Sequence, residues 1–140
     1  MECESKISFD TKCTKRSELI GKAFSAFKGM SPNKWKDLDI RKENFANAML
    51  DADLPLSPDE ICGQLAALDT GVTEVKVSGS KVSIGIFPLE FPEDFCRNIF
   101  PTLDGAGFSS IACNSDSEYG TQVISLKNGK IRKKEDMFDM

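Results

Sequence analysis

Histidine is absent from all 140 residues of this chain, and the absence matters because of the chemistry that histidine usually performs. Its side chain titrates near neutrality and is the commonest general base and metal ligand, so most hydrolytic and zinc-dependent mechanisms lose their usual residue. P-loops, GxGxxG turns, CxxC pairs and the HExxH and GxSxG motifs are also missing. The sequence therefore predicts a protein that is not an enzyme, with no catalytic residues, no metal and no cofactor.

Close cysteine pairs and long apolar runs are missing too. The five cysteines are spread over Cys3, Cys13, Cys62, Cys96 and Cys113, whereas disulfide scaffolds and structural zinc sites place cysteines more densely. Because the five cysteines are widely spaced, we expect all of them to be free thiols. Cys62, Cys96 and Cys113 fall on apolar faces, whereas Cys3 and Cys13 do not. No segment approaches the roughly 18 apolar residues of a membrane span, and no signal-peptide core is present. We therefore expect a soluble protein in the cytoplasm of its producer or of a host cell.

Length and composition predict one domain over residues 1–140, and the order of the predicted elements assigns it to the α+β class. A content of 40 % hydrophobic and 29 % charged residues is typical of a globular chain of this size. Ser17 is positioned to cap the first helix, and apolar residues then recur at helical spacing. The elements predicted before residue 57 are a strand over 6–12, a helix over 17–29 and a helix over 39–52, with 17–55 forming a helical insertion.

The strongest structural signals lie over residues 57–126. Ser57-Pro58-Asp59-Glu60 combines a capping serine, a proline at the first helical position and a glutamate three residues on, which predicts a helix. Gly79-Ser80 predicts a two-residue hairpin turn that places Val77 opposite Val82. The further predicted elements are a helix over 57–69, a hairpin over 75–84, a helix over 93–104, a strand over 108–113, a loop over 114–120, a strand ending at Leu126, and a last hairpin through Asn128-Gly129 that pairs Leu126 with Ile131.

These elements predict helices packed on one face of a mainly antiparallel sheet. The first strand taken together with 57–113 has the β-α-β-β-α-β order of ferredoxin-like folds, followed by an extra C-terminal strand or hairpin and a charged tail over 132–140. The analogy concerns topology alone, because such folds carry many unrelated functions.

Charge is strongly separated along the chain. Residues 1–45 carry a net +3, residues 46–120 a net −9 and residues 121–140 a net +2. An acidic middle segment would repel nucleic acid and attract a basic protein surface. Exposed acids and aromatics on the predicted loops 88–94 and 114–120 are suited to such a contact. The candidate partner-binding residues are Glu90, Phe91, Asp116, Glu118 and Tyr119.

The leading functional prediction is therefore a small protein-binding protein, an inhibitor, immunity or counter-defence factor that covers a functional surface of a target protein. The alternative is a nucleic-acid-binding module that uses the open sheet face or a basic C-terminal strand. Its candidate residues are Lys127, Lys130, Arg132, Lys133 and Lys134. Lysines on a terminal strand also discourage edge-to-edge pairing, which is a structural explanation for the same charges. Homo-oligomerisation is a further alternative, since an open antiparallel sheet leaves at least one edge uncovered.

Overall fold

The computed structural model describes residues 3–29, 38–52, 60–61, 63–64 and 70–137. In that part of the chain it shows an α+β protein with six strands and three helices. Glu60, Ile61, Gly63 and Gln64 also have helical backbone. The elements are β1 (Cys3–Asp10), α1 (Thr14–Ser25), α2 (Leu38–Ala52), β2 (Gly71–Ser78), β3 (Lys81–Leu89), α3 (Pro92–Gly105), β4 (Ser109–Ser117), β5 (Gly120–Lys127) and β6 (Lys130–Met137).

The strands form a single sheet in the order β2-β3-β1-β4-β5-β6, and every neighbouring pair is antiparallel. α1 packs against β2 and β3, α3 packs against β4 and β5, and α2 lies against α1. Side chains of α1 and α3 converge on the same buried region around Phe9, so the two helices cover one face of the sheet. The predicted α+β class is confirmed.

The core lies between the sheet and the helices and is rich in phenylalanine. Ile7 and Phe9 of β1 are almost completely buried. The ring of Phe9 stacks on that of Phe108 with centroids 4.6 Å apart, and the Phe24 ring of α1 lies at 6.5 Å. Because side chains alternate along a strand, Lys6 and Ser8 on either side of Ile7 point to the opposite face. The sheet therefore has an apolar face under the helices and a polar face, called the open face below.

The hairpin predicted over 75–84 is confirmed. Val77 pairs with Val82 and Val75 pairs with Ile84, and Gly79 has a φ of 60° in the turn. Its strands extend beyond the predicted range as β2 and β3. A Cβ atom on Gly21 of α1 would lie 2.5 Å from a Val77 methyl group, so the absence of a side chain there lets the helix approach β2 closely.

The helix predicted over 93–104 is confirmed as α3, and the helix predicted over 39–52 is confirmed as α2. α3 continues past Pro101 to Gly105, so this proline does not shorten it. The apolar residues that recur at helical spacing along α3 are buried, as expected for an amphipathic helix against a sheet. These residues are Phe95, Cys96, Ile99, Phe100 and Leu103.

The first turn of α1 differs from the prediction. The helix begins at Thr14 rather than Ser17 and ends at Ser25, and its N-cap residue is Cys13. Ser17 is buried inside the helix, where its Oγ lies 2.6 Å from the Thr11 Oγ1. A serine hydroxyl suits the N-cap position, but in the fold a tertiary partner, Thr11, satisfies it instead. β1 likewise ends at Asp10, two residues before the predicted limit.

The loop predicted over 114–120 is wrong, since β4 runs to Ser117 and only Glu118 and Tyr119 form a turn. Asn114, Ser115 and Asp116 read as loop residues because they are polar. In the fold, Ser115 is buried and its Oγ lies 2.8 Å from the Ser5 Oγ of β1, so a neighbouring strand supplies its partner. The loop predicted over 88–94 is also shorter, with residues 90 and 91 alone between β3 and α3.

The charged tail predicted over 132–140 is a strand over residues 132–137. β6 pairs with β5 along its whole length, including the predicted pair of Leu126 and Ile131. Backbone hydrogen bonds form this strand, and an edge position lets its charged side chains stay in water. Residues 138–140 lie outside the described residues, as do Trp35, Cys62, the Ser57-Pro58 capping signal and most of the helix predicted over 57–69.

Asp10 ends β1 and stabilises the turn into α1. Its Oδ1 accepts a hydrogen bond of 2.7 Å from the backbone N–H of Lys12, whose φ is 65°. This bond, followed by a hydrogen bond with Ser80, lowers the pKa of the Asp10 carboxyl from its ordinary value of 3.8. Because the folded-state pKa is the lower one, the carboxylate contributes stability that is present above pH 3.8 and is lost as the pH falls through the folded-state pKa.

We expect a carboxyl 13C NMR titration of the folded protein to give Asp10 a midpoint below 3.8. Ser80→Ala should raise this midpoint by removing one of the hydrogen bonds that favour the charged form. The same resonance in the urea-unfolded chain is the reference. A folded-state midpoint equal to or above that reference would contradict the proposed turn interaction.

Candidate functional site

The two segments predicted to contact a partner meet at one end of the sheet. Residues 90 and 91 follow β3, and residues 118 and 119 connect β4 to β5. β1 separates β3 from β4, with Cys3 beside Leu89 and Glu4 beside Asp116. Two strand spacings place the two connections about 10 Å apart. We call this surface the acidic-aromatic end and define it by Glu90, Phe91, Asp116, Glu118 and Tyr119.

The aromatic side chains of this end are open to solvent. Phe91 is 55 % exposed and Tyr119 is 39 % exposed. The turn that presents Tyr119 is held by Ser117, whose Oγ accepts a hydrogen bond from the Tyr119 N–H at 3.2 Å and donates one to the Gly120 carbonyl at 3.4 Å. Phe91 is the N-cap residue of α3, so the start of a helix fixes its backbone. Both rings therefore project from anchored backbone positions.

Phe87 is a third exposed aromatic residue that the sequence reasoning missed. It lies near the end of β3 and is 42 % exposed, whereas the preceding Ile86 is buried. The alternation of Val82, Ile84 and Ile86 toward the core would have placed Phe87 on the other side of the strand. The predicted hairpin ends at residue 84, so this alternation reaches Phe87 only because β3 continues to Leu89.

The carboxylates at this end differ in how they are compensated. Glu93, in the first turn of α3, forms ion pairs with Arg97 at 3.3 Å and with Lys133 at 3.4 Å. Glu90, Asp116 and Glu118 form no ion pair with any other described residue. Their charge is therefore directed toward solvent and is available to a basic partner surface.

A polar groove of about 490 Å³ crosses the open face next to the acidic-aromatic end, and Asp116 belongs to both. Glu74 in the groove pairs with Lys6 at 3.8 Å and with Lys76 at 3.7 Å. Gly85 forms part of the floor, where a Cβ atom would lie 2.8 Å from the Thr73 Oγ1. Among the described residues, no three Cys, Asp or Glu side chains converge as a metal site would require.

The basic residues of the alternative site are brought together except for one. Lys127 pairs with Lys130, and the alternation of β6 puts Arg132 and Lys134 on the same face as Lys130. Lys133 faces the other way, where it pairs with Glu135 at 3.0 Å and with Glu93 at 3.4 Å. The hydrogen bond to Glu135, and then that to Glu93, raise the pKa of Lys133. Four of the five cations therefore form a stripe on the open face, and the fifth belongs to an ion-pair cluster beside α3.

The described thiols are free, and two of them belong to the core. Cys13 is exposed, whereas Cys96 of α3 and Cys113 of β4 are buried. The neighbouring Cys113 thiol, together with burial, raises the pKa of Cys96 well above its ordinary value. The pair thus acts as small apolar groups at the junction of helix and sheet. Burial of Cys96 and Cys113 and exposure of Cys13 are confirmed, while the side chain of Cys3 lies outside the described residues.

Fold and site together define an α+β protein with one helix-covered face and an exposed acidic and aromatic end. No helix in the described ranges is long and apolar enough to cross a membrane. Comparison with protein-family models, with curated proteins and with solved structures gives no match. A functional hypothesis for this chain therefore depends on its own geometry.

Proposed function

We propose that this chain is a non-catalytic protein-binding protein, an inhibitor, immunity or counter-defence factor that covers a functional surface of its target. The acidic-aromatic end is the contact surface. One observation carries the proposal: two segments that are distant in sequence, residues 90–91 and 116–119, each present an exposed aromatic ring and carboxylates without an ion pair among the described residues, at the same end of the sheet.

The energetic argument assigns different roles to the two kinds of side chain. Aromatic residues on anchored backbone contribute most of the binding energy in protein interfaces, because a large ring is buried with few rotatable bonds to immobilise. Carboxylates at the rim mainly accelerate association with a basic surface. Phe91 and Tyr119 would thus anchor the complex, while Glu90, Asp116 and Glu118 would steer it.

We also propose a ferredoxin-like arrangement for part of the sheet and a cytoplasmic location for the protein. The sheet order β2-β3-β1-β4 supports a ferredoxin-like arrangement of the first four strands, with β5 and β6 added at one edge. The free thiols of Cys13, Cys96 and Cys113 support a reducing compartment such as the cytoplasm.

The test is capture of a partner by the tagged chain from nuclease-treated lysate of the cells that contain it. We expect one stoichiometric protein, and we expect the double variant Asp116→Lys/Glu118→Lys to associate with that protein about tenfold more slowly. The matched control is Glu18→Lys/Glu43→Lys, which reverses two exposed carboxylates on α1 and α2 and should bind as the unmodified chain does. Equal association rates and affinities for all three proteins would refute the role of these loops.

The stripe formed by Lys127, Lys130, Arg132 and Lys134 favours one second candidate, a nucleic-acid contact on the open face. In that case capture without nuclease would recover nucleic acid, and binding would weaken steeply with salt. The variant Lys130→Ala/Arg132→Ala/Lys134→Ala would abolish the recovery. Lys133→Ala is the matched control, since this lysine points to the other face and should leave the recovery intact.

A further inference from the structure

β6 is an edge strand with an exposed row of backbone hydrogen-bonding groups. It is the last strand of the sheet and pairs with β5 through all eight residues. Within the described ranges no residue pairs with its outer side. Edge strands of this length are ready templates for a further strand, and proteins that leave them open usually control which strand can add.

The opposite edge of the sheet is different. Beyond β2, Lys28 forms a parallel bridge with Val72, and the Gly29 N–H donates a hydrogen bond of 3.0 Å to the Val72 carbonyl. Part of that edge is therefore already satisfied by the chain after α1. Among the described residues none pairs with the outer side of β6, so its full length remains available to a further strand.

The charges of β6 are divided along its length. Its first five residues contain four cations, Lys130, Arg132, Lys133 and Lys134, and its last three contain the anions Glu135 and Asp136. An antiparallel copy of the same strand would place the basic part against the acidic part. Opposite charges directly across an antiparallel pair stabilise it, and like charges destabilise it.

The side-chain alternation selects one register. Directly opposed residues in an antiparallel pair lie on the same face, so a two-fold axis must pass through a residue position of β6. With the axis at Lys134, Lys133 lies opposite Glu135 of the second copy and Arg132 lies opposite its Asp136. The two-fold symmetry repeats each of these opposite-charge pairs, which gives four. The only like-charge pair in this register is Lys134 opposite Lys134 of the second copy. With the axis at Lys133, Arg132 would instead face Lys134 twice.

We propose that the chain forms a homodimer in which β6 pairs antiparallel with β6 of a second copy around Lys134, joining the two sheets into one. The lysines exclude generic strands from this edge, while the following Glu135 and Asp136 admit the strand's own copy. Because the paired strands run in opposite directions, the acidic-aromatic ends would lie at opposite ends of the dimer. This inference does not depend on the proposed function.

Light scattering after size exclusion tests the proposal with the full chain over a range of concentrations. We expect a mass of twice the 15.4 kDa of one chain. Two charge-block variants should each dimerise at least about 100-fold more weakly, since four favourable pairs become like-charge pairs. These are Glu135→Lys/Asp136→Lys, which makes the strand basic, and Arg132→Glu/Lys133→Glu, which makes its inner positions acidic.

Mixing the two charge-block variants provides the decisive measurement. In the mixed dimer all four pairs are again of opposite charge, so we expect affinity to return to within about tenfold of the unmodified chain. Misfolding of either variant could not produce this recovery. A monomeric unmodified chain, or a dimer that the charge blocks leave unchanged, would overturn the proposal, and a monomer that pairs only with another protein's strand would overturn it equally.

The register has its own test. Lys134→Cys should form a covalent dimer with oxidised glutathione, because two cysteines opposed across the axis lie within disulfide reach. The matched control Lys127→Cys is exposed on β5, away from the proposed axis, and should give only the background of the unmodified chain. Equal cross-linking at both positions would contradict the register centred on Lys134.

Discussion

Replacing Phe9 with alanine is expected to lower the free energy of unfolding by about 3–5 kcal/mol. Phe9 is 1 % exposed and lies on β1, which is flanked by β3 on one side and β4 on the other. Its ring stacks on the Phe108 ring, next to β4, and lies 6.5 Å from the Phe24 ring of α1. Truncation therefore removes packing against both the segment before β4 and the helix. Hydrogen-bonded strands on both sides prevent the backbone from closing the cavity.

Urea unfolding monitored by circular dichroism measures this effect. The matched control is Phe91→Ala, which deletes the same ring from a position that is 55 % exposed and should change stability by less than about 0.5 kcal/mol. Similar losses for the two variants would show that the burial of Phe9 does not determine its contribution. The comparison also establishes that Phe91→Ala is folded, which its use in binding experiments requires.

Removal of either aromatic anchor from the acidic-aromatic end is expected to weaken binding of the captured partner by about 30-fold, equivalent to about 2 kcal/mol. Phe91 and Tyr119 are the exposed rings of the two adjoining segments, and a complex would bury both. Because the two connections that carry these rings lie about 10 Å apart, their effects should be close to independent unless one partner group contacts both rings.

Titration calorimetry with Phe91→Ala, Tyr119→Ala and the double variant tests this expectation. The matched control is Leu50→Ala, since Leu50 is an apolar residue of α2 that is 78 % exposed and lies outside the proposed surface. Phe87→Ala then reports whether the contact extends along β3. Unchanged affinity in both single variants would show that the partner binds elsewhere on the chain.

Local sequence patterns predict the structure correctly where residues that are close in sequence determine it. The hairpin register around Gly79-Ser80 was readable because a two-residue turn aligns Val77 with Val82 without help from the rest of the chain. The buried stripe of α3 was readable because its apolar residues repeat at helical spacing. In both cases the residues that determine the structure are neighbours in sequence.

Predictions that relied on polarity were wrong where a residue distant in sequence satisfies the polar group. Ser115 reads as a loop residue, yet the hydroxyl of Ser5, on a neighbouring strand that is distant in sequence, allows it to be buried within β4. Ser17 reads as a helix cap, yet Thr11 provides a hydrogen-bond partner within the core. Phe87 escaped notice because β3 could be extended past residue 84 only once its pairing with β1 and β2 was known.

The sequence by itself determined the α+β class, the hairpins and the buried faces of the helices, because these follow from periodicity and turn chemistry over about ten residues. It also identified the acids and aromatics of the acidic-aromatic end one segment at a time. Only the tertiary structure decided that the two segments adjoin, that Lys133 turns away from the other cations, and that β6, with its divided charge, is the last strand of the sheet. These properties depend on the insertion of β1 between β3 and β4 and on the register of β5 with β6, which are set by contacts between residues far apart in the chain.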